Sequence, residues 1–201
     1  CGSVLKNSIL TNVNFNSSYL REIDLTNMSG LINTNFTNTD LSGAILLNSN
    51  LSGAIFIDAS ANYLDFSSSN LGNVNFTKTR LEGTNFNGRI FRNAILNESY
   101  FHMASLIGAD FTDQTTMSGT DFSSSILNNA IFNNADISGI NMTNAEIQNI
   151  NFNNANNINN AIYIGSNLDG SDFSNTNIPN IDLTNVISMS GTKFINSTLN
   201  N

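Results

Sequence analysis

Large apolar residues recur along the chain with a spacing of five. The series begins at Leu5 and, after one extra residue, resumes at Leu31 and runs in step to Phe111. Three further single-residue insertions shift the series, which resumes at Met117, Ile158 and Met189 and finishes at Leu199. Its 39 central positions hold 14 of the 14 Phe and 16 of the 18 Leu residues. A repeat this regular argues against disorder.

The residues that precede each centre are also patterned. Ala, Ser or Thr stands two residues before 29 of the 39 centres, and Asn or Asp often stands just before them, as in Asn35-Phe36. A period of five fits neither the helical repeat of 3.6 nor the strand repeat of 2. It predicts a coil with four sides, one segment per side, whose centre and preceding small residue point inward. Stacking nearly ten coils at roughly 4.8 Å gives a rod of about 47 Å.

Several segments match a known repeat. The unit TNFNG at 84–88 and the segments around Phe111 and Phe173 resemble the pentapeptide-repeat family, whose pattern is A-(D/N)-L-x-x. The resemblance covers essentially the whole chain. It implies a right-handed quadrilateral parallel β-helix. The extent of the repeat adds the expectation of one all-β domain, 1–201, with about ten coils and without a capping helix. It says little about function, because one fold serves many functions.

The repeat also predicts what lies inside. Counting segments in fours from Leu5 assigns every centre to one of four sides. Phe residues occupy the third side in the first half of the chain, at Phe15, Phe36, Phe56 and Phe76. They move to the second side in the second half, at Phe91, Phe111, Phe132, Phe152, Phe173 and Phe194. We therefore expect two ladders of stacked rings.

One centre is too small for its position. Ala61 leaves a gap on the fourth side, while Leu64 stands where a small residue is usual. An unfilled cavity is destabilising, so we expect Leu64 to turn inward and partly fill the gap.

Composition excludes several classes of protein. The chain has 40 Asn among its 201 residues, which disfavours an all-helical fold. We expect Asn at outward positions and corners, where it tolerates tight turns and forms amide ladders. The net charge of −8 disfavours direct binding of nucleic acid. A single Cys cannot form an internal disulfide framework.

Few residues suggest chemistry. His102 is the only His, so a metal cluster with two His is unavailable, and we expect no catalytic residue, metal or cofactor. Stacking by coils predicts outward charge pairs of Glu82 with His102, Lys78 with Glu98, and Asp172 with Lys193, each of modest strength. It also predicts a cation–π contact between Arg80 and Tyr100.

Four of the seven basic residues fall within one coil. They are Lys78, Arg80, Arg89 and Arg92, and they form a candidate surface for an anionic partner. The alternative is a solvated belt balanced by Glu82 and Glu98. Arg89 occupies an inward position, and since burying an unpaired charge is costly, we expect a corner bulge that lets its guanidinium reach water. The alternative is an Arg that contacts a ligand.

The ends of the repeat carry a further expectation. The series begins within five residues of one end and stops two residues before the other, whereas solenoids normally need polar caps. The interpretations are a trimmed chain, end-to-end pairing with another copy, or tolerated exposure. Cys1, followed by Gly2-Ser3, resembles the processed N-terminus of a bacterial lipoprotein. Cys1 is therefore a candidate lipidation site, the only expected link to a membrane. If Cys1 is the processed N-terminus, we expect an extracytoplasmic protein. If it is not, we expect a cytoplasmic one.

Two functions remain open. The first is a non-enzymatic structural or interaction module, an acidic rod that acts as scaffold or spacer and joins end to end with itself, or that binds another protein. The second rests on the resemblance, because quinolone-resistance members of the family are acidic β-helical dimers that mimic DNA and bind type II topoisomerase. This chain lacks their C-terminal dimerisation helix, and its acidic residues are scattered.

Overall fold

The β-bridges define how the chain is wound. The computed structural model describes residues 5, 8–179 and 181–199, without the side chain of Asn159. All of its bridges are parallel, and each joins residues 20 or 21 positions apart, as in Asn35 with Ile55 and Tyr100 with Asp121. Four segments of five residues make one such step. The chain is therefore a parallel β-helix with four sides per coil.

Regular elements are very short in this fold. The described strands are single-residue bridges, and the helical structure of the described residues is the 3-10 turn Ile158–Asn160. This turn follows Asn157, the extra residue of the third insertion, which adopts a left-handed conformation with φ 56°. Across the described ranges, no helix has the length and apolar character that a membrane span requires.

Backbone hydrogen bonds join each side to the next coil. The N–H of the central Phe36 donates to Ile55 O at 2.6 Å, and the N–H of Ile55 donates back to Thr34 O at 3.0 Å. The residue two positions after the centre then turns the corner with a positive φ, as at Asn38 with φ 55°. Most described segments thus repeat one bridge and one left-handed turn.

The core is continuous along the rod. All centres from Leu25 to Ile178 are buried, and so are most of the small residues two positions before them. Where the small residue is Ser or Thr, its hydroxyl commonly donates to a backbone carbonyl in the coil below. Thr39 reaches Phe15 O at 2.8 Å, and Ser49 reaches Leu25 O at 2.8 Å. These inward hydroxyls therefore do not remain as unsatisfied polar groups.

Phenylalanine rings form long ladders along two sides, and each of the other two sides holds one stacked pair, Phe66 with Phe86 and Phe101 with Phe122. On the third side the centroid distances run from 5.6 Å between Phe15 and Phe36 to 5.0 Å for the last pair. On the second side they begin at 4.7 Å between Phe91 and the next ring and end at 5.2 Å at Phe194. Phe86 joins the ladders, since its centroid lies 6.0 Å from Phe76 on the third side and 5.4 Å from Phe91 on the second.

Two inward residues, Leu64 after the fourth-side Ala61 and Tyr163 on the fourth side, depart from the pattern. Leu64 is 3% exposed beside the fully buried Ala61, so the expectation that Leu64 turns inward is confirmed. Tyr163 is fully buried, and its ring meets Phe152 and Phe173 edge-on. Its hydroxyl has no hydrogen-bond partner among the described residues. Burial raises the pKa of the Tyr163 phenol.

Candidate functional site

A groove runs along the outside of the fourth side. It has a volume of about 830 Å³ and spans four successive coils. We call it the fourth-side groove. Its lining residues are Asn38, Asp58, Asn62, Lys78, Arg80, Glu82, Glu98, Tyr100 and His102. All nine side chains carry a polar group, and no aliphatic side chain lines the groove.

The repeat places each of these side chains. Arg80 and Tyr100 are bridge partners in neighbouring coils and stand just before inward centres, so their side chains point outward and form the floor. One edge consists of the corner residues two positions after the third-side centres, among them Asp58, Lys78 and Glu98 with φ of 55–56°. The other edge consists of the residues after the fourth-side centres, which are Asn62, Glu82 and His102.

Short-range contacts hold the edges. Lys78 Nζ lies 3.6 Å from Glu98 Oε2, so this predicted ion pair is confirmed. On the opposite edge Tyr63 donates its hydroxyl to Glu82 Oε1 at 2.9 Å, and this hydrogen bond to a carboxylate raises the pKa of Tyr63. Both pairs are exposed, so each contributes little to stability.

The predicted pairing of Glu82 with His102 is wrong. His102 Nδ1 instead lies 2.9 Å from Ser123 Oγ in the next coil, while Glu82 Oε1 accepts the hydrogen bond from the Tyr63 hydroxyl. Each outward side chain has neighbours both above and below, and the histidine finds its partner above. Among the described residues these two groups therefore do not form a dyad.

Two other predicted side-chain contacts do not form among the described residues. Arg80 and Tyr100 are bridge partners, but no cation–π contact joins them within the described part of the chain. Asp172 and Lys193 are also bridge partners, yet Asp172 Oδ1 accepts the N–H of Ser174 at 2.9 Å. The carboxylate is used within its own turn because that donor is held in place by the backbone.

The four basic residues of the candidate surface do not converge. Lys78 and Arg80 line the fourth-side groove, whereas Arg92 lines a separate depression of 360 Å³ with Asp110 and other residues. Arg89 borders a third depression of 310 Å³. The coil carries these side chains to different sides of the rod, so they form a belt and not one anion-binding face.

Arg89 is only partly exposed. Its Nη1 donates to Ser69 O at 3.2 Å, while its Nε is buried without a partner among the described residues. The guanidinium therefore reaches a carbonyl of the coil below at the surface depression. The side chain is thus partly exposed as expected, but the expected corner bulge is absent from this regular turn and one guanidinium N–H stays buried.

Away from the groove, many outward polar side chains form hydrogen bonds within the wall itself. The side-chain oxygen of an Asn or Asp before a centre accepts the N–H two residues on, as in Asn35 to Thr37 at 2.9 Å and Asp110 to Thr112 at 2.9 Å. The same contact recurs in many coils. It explains why Asn and Asp precede so many centres, since this local bond closes the turn.

The corners explain most of the remaining asparagine. Of the 25 described residues other than Gly with a positive φ, 16 are Asn, the residue that best tolerates this conformation after Gly. The other nine cluster unevenly. Five of them lie in or beside the fourth-side groove, at Asp58, Tyr63, Lys78, Glu98 and Met103.

This groove was missed by the reasoning from sequence. The available signal was a departure from the repeat, because Ser60, Arg80 and Tyr100 replace the usual Asn or Asp before three successive centres on one side. The described residues contain no group of three His, Cys, Asp or Glu side chains suited to a metal ion. The predicted lipidation residue Cys1 lies outside the described residues.

Comparisons with known proteins place the chain in a family. The sequence model for pentapeptide repeats matches in 8 copies, over residues 34–73, 75–113, 114–144, 127–156 and 157–187. No curated protein matches the chain.

Several solved structures are similar. QnrB1, a plasmid-mediated fluoroquinolone resistance protein, is 14% identical, with 98% of this chain and 88% of that chain covered and a TM-score of 0.48. HetL, from Nostoc sp. strain PCC 7120, is involved in heterocyst differentiation regulation. It is 19% identical over 97% of this chain and 86% of its own, with a TM-score of 0.32.

A third relative comes from the thylakoid lumen of Arabidopsis thaliana. This pentapeptide repeat protein is 30% identical, but the match covers 53% of this chain and 66% of that chain, with a TM-score of 0.28. Structural neighbours such as QnrB1 and HetL are right-handed β-helices. Since the repeat model spans more than half of the sequence, the chain belongs to the pentapeptide-repeat family.

Proposed function

We propose that the chain is a rigid rod that acts as a scaffold or spacer and joins end to end with copies of itself. Pentapeptide-repeat proteins are generally non-enzymatic structural or interaction proteins, and this fold fits an interaction module with a protein partner. The single observation that carries the proposal is the burial of the inward centres, which differs between the middle and the terminal coils.

The terminal coils leave apolar side chains partly uncovered. Phe194 and Met189 are only partly buried near one end, as are Leu10 and Phe15 near the other, whereas the centres from Leu25 to Ile178 are buried. Leu199 is 55% exposed. Apolar surface at the end of a coil can be covered by a further coil, and in the proposed assembly a second copy supplies that coil with side chains of the same spacing.

The backbone favours one direction of assembly. All described bridges are parallel, so the last coil of one copy matches the first coil of another only when both rods point the same way. A head-to-tail contact of this type does not close on itself, and it generates a linear or helical filament. The proposal therefore expects a filament more strongly than a closed dimer.

The test is the size of the assemblies that the purified 201-residue chain forms in solution. Sedimentation and electron microscopy over a wide concentration range should reveal growing linear assemblies. Leu199→Lys should abolish them by placing a charge in the joint. Ile90→Lys is the matched control, because Ile90 is 57% exposed on the wall far from the ends, and it should leave assembly unchanged. A strict monomer at every concentration would contradict the proposal.

A second candidate function is inhibition of a type II topoisomerase by mimicry of DNA. The observation that favours it is the net charge of −8, from 15 acidic and 7 basic residues. The row of outward residues on the fourth side counts against it, since it contains Arg80 and Tyr100 beside Asp40 and Asp121. A supercoiling assay with DNA gyrase tests the idea directly. Unchanged supercoiling at micromolar protein would exclude it.

A further inference from the structure

The fourth-side groove retains unused hydrogen-bonding groups of both kinds. Arg80, Asp58, Asn38 and the Tyr100 hydroxyl make no side-chain hydrogen bond or ion pair with the described residues. Glu82 uses Oε1 for Tyr63 and keeps its second oxygen open. Elsewhere on the wall many such groups are satisfied locally, as at Asn35 and Asp110. The groove therefore offers free donors and free acceptors together, which a ligand would have to match.

The charges in the groove disfavour both anionic and cationic ligands. Two cationic side chains and three carboxylates line it, and one cation is already paired with Glu98. A phosphate or polyphosphate would face more negative than positive charge. A cationic ligand would meet Arg80 at the floor. The lining thus favours a neutral ligand that both donates and accepts hydrogen bonds.

The lining also argues against an apolar anchor of a protein partner. Protein interfaces are usually centred on buried aromatic or aliphatic side chains in well-packed pockets, but this groove has no aliphatic lining residue. Its volume of about 830 Å³ lies within the range of about 300–1,000 Å³ of small-ligand sites.

Hydroxyl groups meet these conditions best. Each hydroxyl donates one hydrogen bond and accepts others, so a polyhydroxylated ligand can use the guanidinium, the carboxylates and the amides at once. Tyr100, at 47% exposed, and Tyr63, at 71% exposed beside the edge, add flat apolar rings against which the C–H face of a sugar ring can pack.

The coil spacing gives the groove a repeat of its own. Equivalent side chains in successive coils stand roughly 4.8 Å apart along the rod, close to the length of one sugar residue in an extended chain. Successive residues of a linear oligosaccharide would then meet equivalent positions in successive coils.

The corner backbone places side chains along one edge of the groove. Asp58, Lys78 and Glu98 adopt the positive φ of the regular corner, a position that Asn or Gly fills at many other corners. Here the corner carries charged side chains instead.

We propose that the fourth-side groove is a binding site for a neutral linear oligosaccharide, with Arg80 and the carboxylates of Asp58 and Glu82 bonding its hydroxyls and Tyr100 packing against a sugar ring. The site lies in the first half of the rod, between Asn38 and His102, and is independent of end-to-end assembly.

The test uses the full chain and four soluble probes. Cellohexaose, maltohexaose, laminarihexaose and chitohexaose are titrated separately, by calorimetry and by tyrosine fluorescence, which is readable because the chain has no Trp. At least one should bind. Arg80→Ala and Tyr100→Ala should each weaken that binding about tenfold or more, a loss of about 1.4 kcal/mol. Arg92→Ala is the matched control, an exposed cation outside the groove, and should bind as the parent does.

Thermal melts of all variants check that folding is intact, since both Arg80 and Tyr100 point outward. Failure of every hexasaccharide to bind the parent chain would overturn the proposal. An equal loss in Arg92→Ala would also overturn it. An alternating Glu-Lys peptide is titrated in parallel. If that peptide binds with the same dependence on Arg80 and the sugars do not, the groove is a peptide site and the assignment to oligosaccharide is wrong.

Discussion

Two corners of the same β-helix have one backbone and different chemistry. The amide corner, between the second and third sides, carries Asn73, Asn93, Asp113 and Asn134, with φ of 54–59°. The charged corner, between the third and fourth sides, carries Asn38, Asp58, Lys78 and Glu98, with φ of 55–56°. At the amide corner the side chains bond one another, as between Asn93 and Asn73 at 3.2 Å and between Asn134 and Asp113 at 2.9 Å.

The difference separates what the fold needs from what it permits. A left-handed turn needs only a residue that tolerates positive φ, and Asn meets this need while adding a ladder of amide bonds. The charged corner lacks this ladder of amide bonds, and its side chains line the fourth-side groove instead. Both corners rest on the same buried core, so the contrast is confined to the wall.

The largest expected effect tests that shared core. Phe86 joins the two ring ladders and is fully buried, so Phe86→Ala should lower the free energy of unfolding by about 3–5 kcal/mol. Chemical denaturation measures this change. Phe194→Ala is the control, since Phe194 is only partly buried, and its loss should be clearly smaller. Equal losses would show that the ladders are not joined through Phe86.

The second prediction concerns the buried interior of the fourth side, at Tyr163. The buried Tyr163 hydroxyl has no partner among the described residues, and such a group is destabilising. Tyr163→Phe should therefore raise the free energy of unfolding by about 1 kcal/mol, measured by thermal or chemical denaturation. Tyr63→Phe, on an exposed side chain, should change it little. A destabilised Tyr163→Phe variant would mean that the hydroxyl is bonded in solution.

A reciprocal exchange tests the two corners directly. Lys78→Asn relieves a strained turn and loses only an exposed ion pair, so it should stabilise the protein by roughly 0.5–1 kcal/mol. Asn93→Lys introduces that strain at the amide corner and breaks the bond to Asn73, so it should destabilise the protein by a similar amount. Melting temperatures of the two variants measure the exchange. Shifts of the same sign would refute the comparison.

The smallest expected effect is a dependence on pH along the fourth side. The Ser42 hydroxyl and the neighbouring Arg21 hold the pKa of Asp40 below its usual value of 3.8. A lowered folded-state pKa gives stability that is present above the unfolded value and is lost as pH falls through the folded one. Asp40→Asn should thus melt closer to the parent protein below pH 3.8 than at neutral pH. A constant difference across that range would contradict the assignment.

The sequence predicted the interior well. The spacing of five assigned every described bridge to the correct side, and Leu64 was expected to turn inward because Ala61 leaves space. Inward residues are predictable because a filled core permits only one direction and one size at each position. The count of nearly ten coils, the assembly of the ends and the lipid on Cys1 stay predictions.

The wall was predicted less well. Stacking placed Glu82 beneath His102 correctly, yet Glu82 bonds to Tyr63 and His102 bonds to Ser123. The four basic residues were close in sequence but lie on different sides of the rod. An outward side chain can bond to its own turn, the coil above or the coil below, and these choices differ too little in energy for sequence spacing to decide them.

The sequence by itself thus determined the period, the four sides and the buried ladders, because hydrophobic burial acts on every coil in the same way and repeats with the chain. Only the tertiary structure decided which outward groups are satisfied and which stay open. That outcome depends on contacts between residues about twenty positions apart, where a single partner such as Tyr63 redirects a carboxylate. Among the described residues, choices of this kind leave Arg80 and Asp58 without side-chain partners in the fourth-side groove.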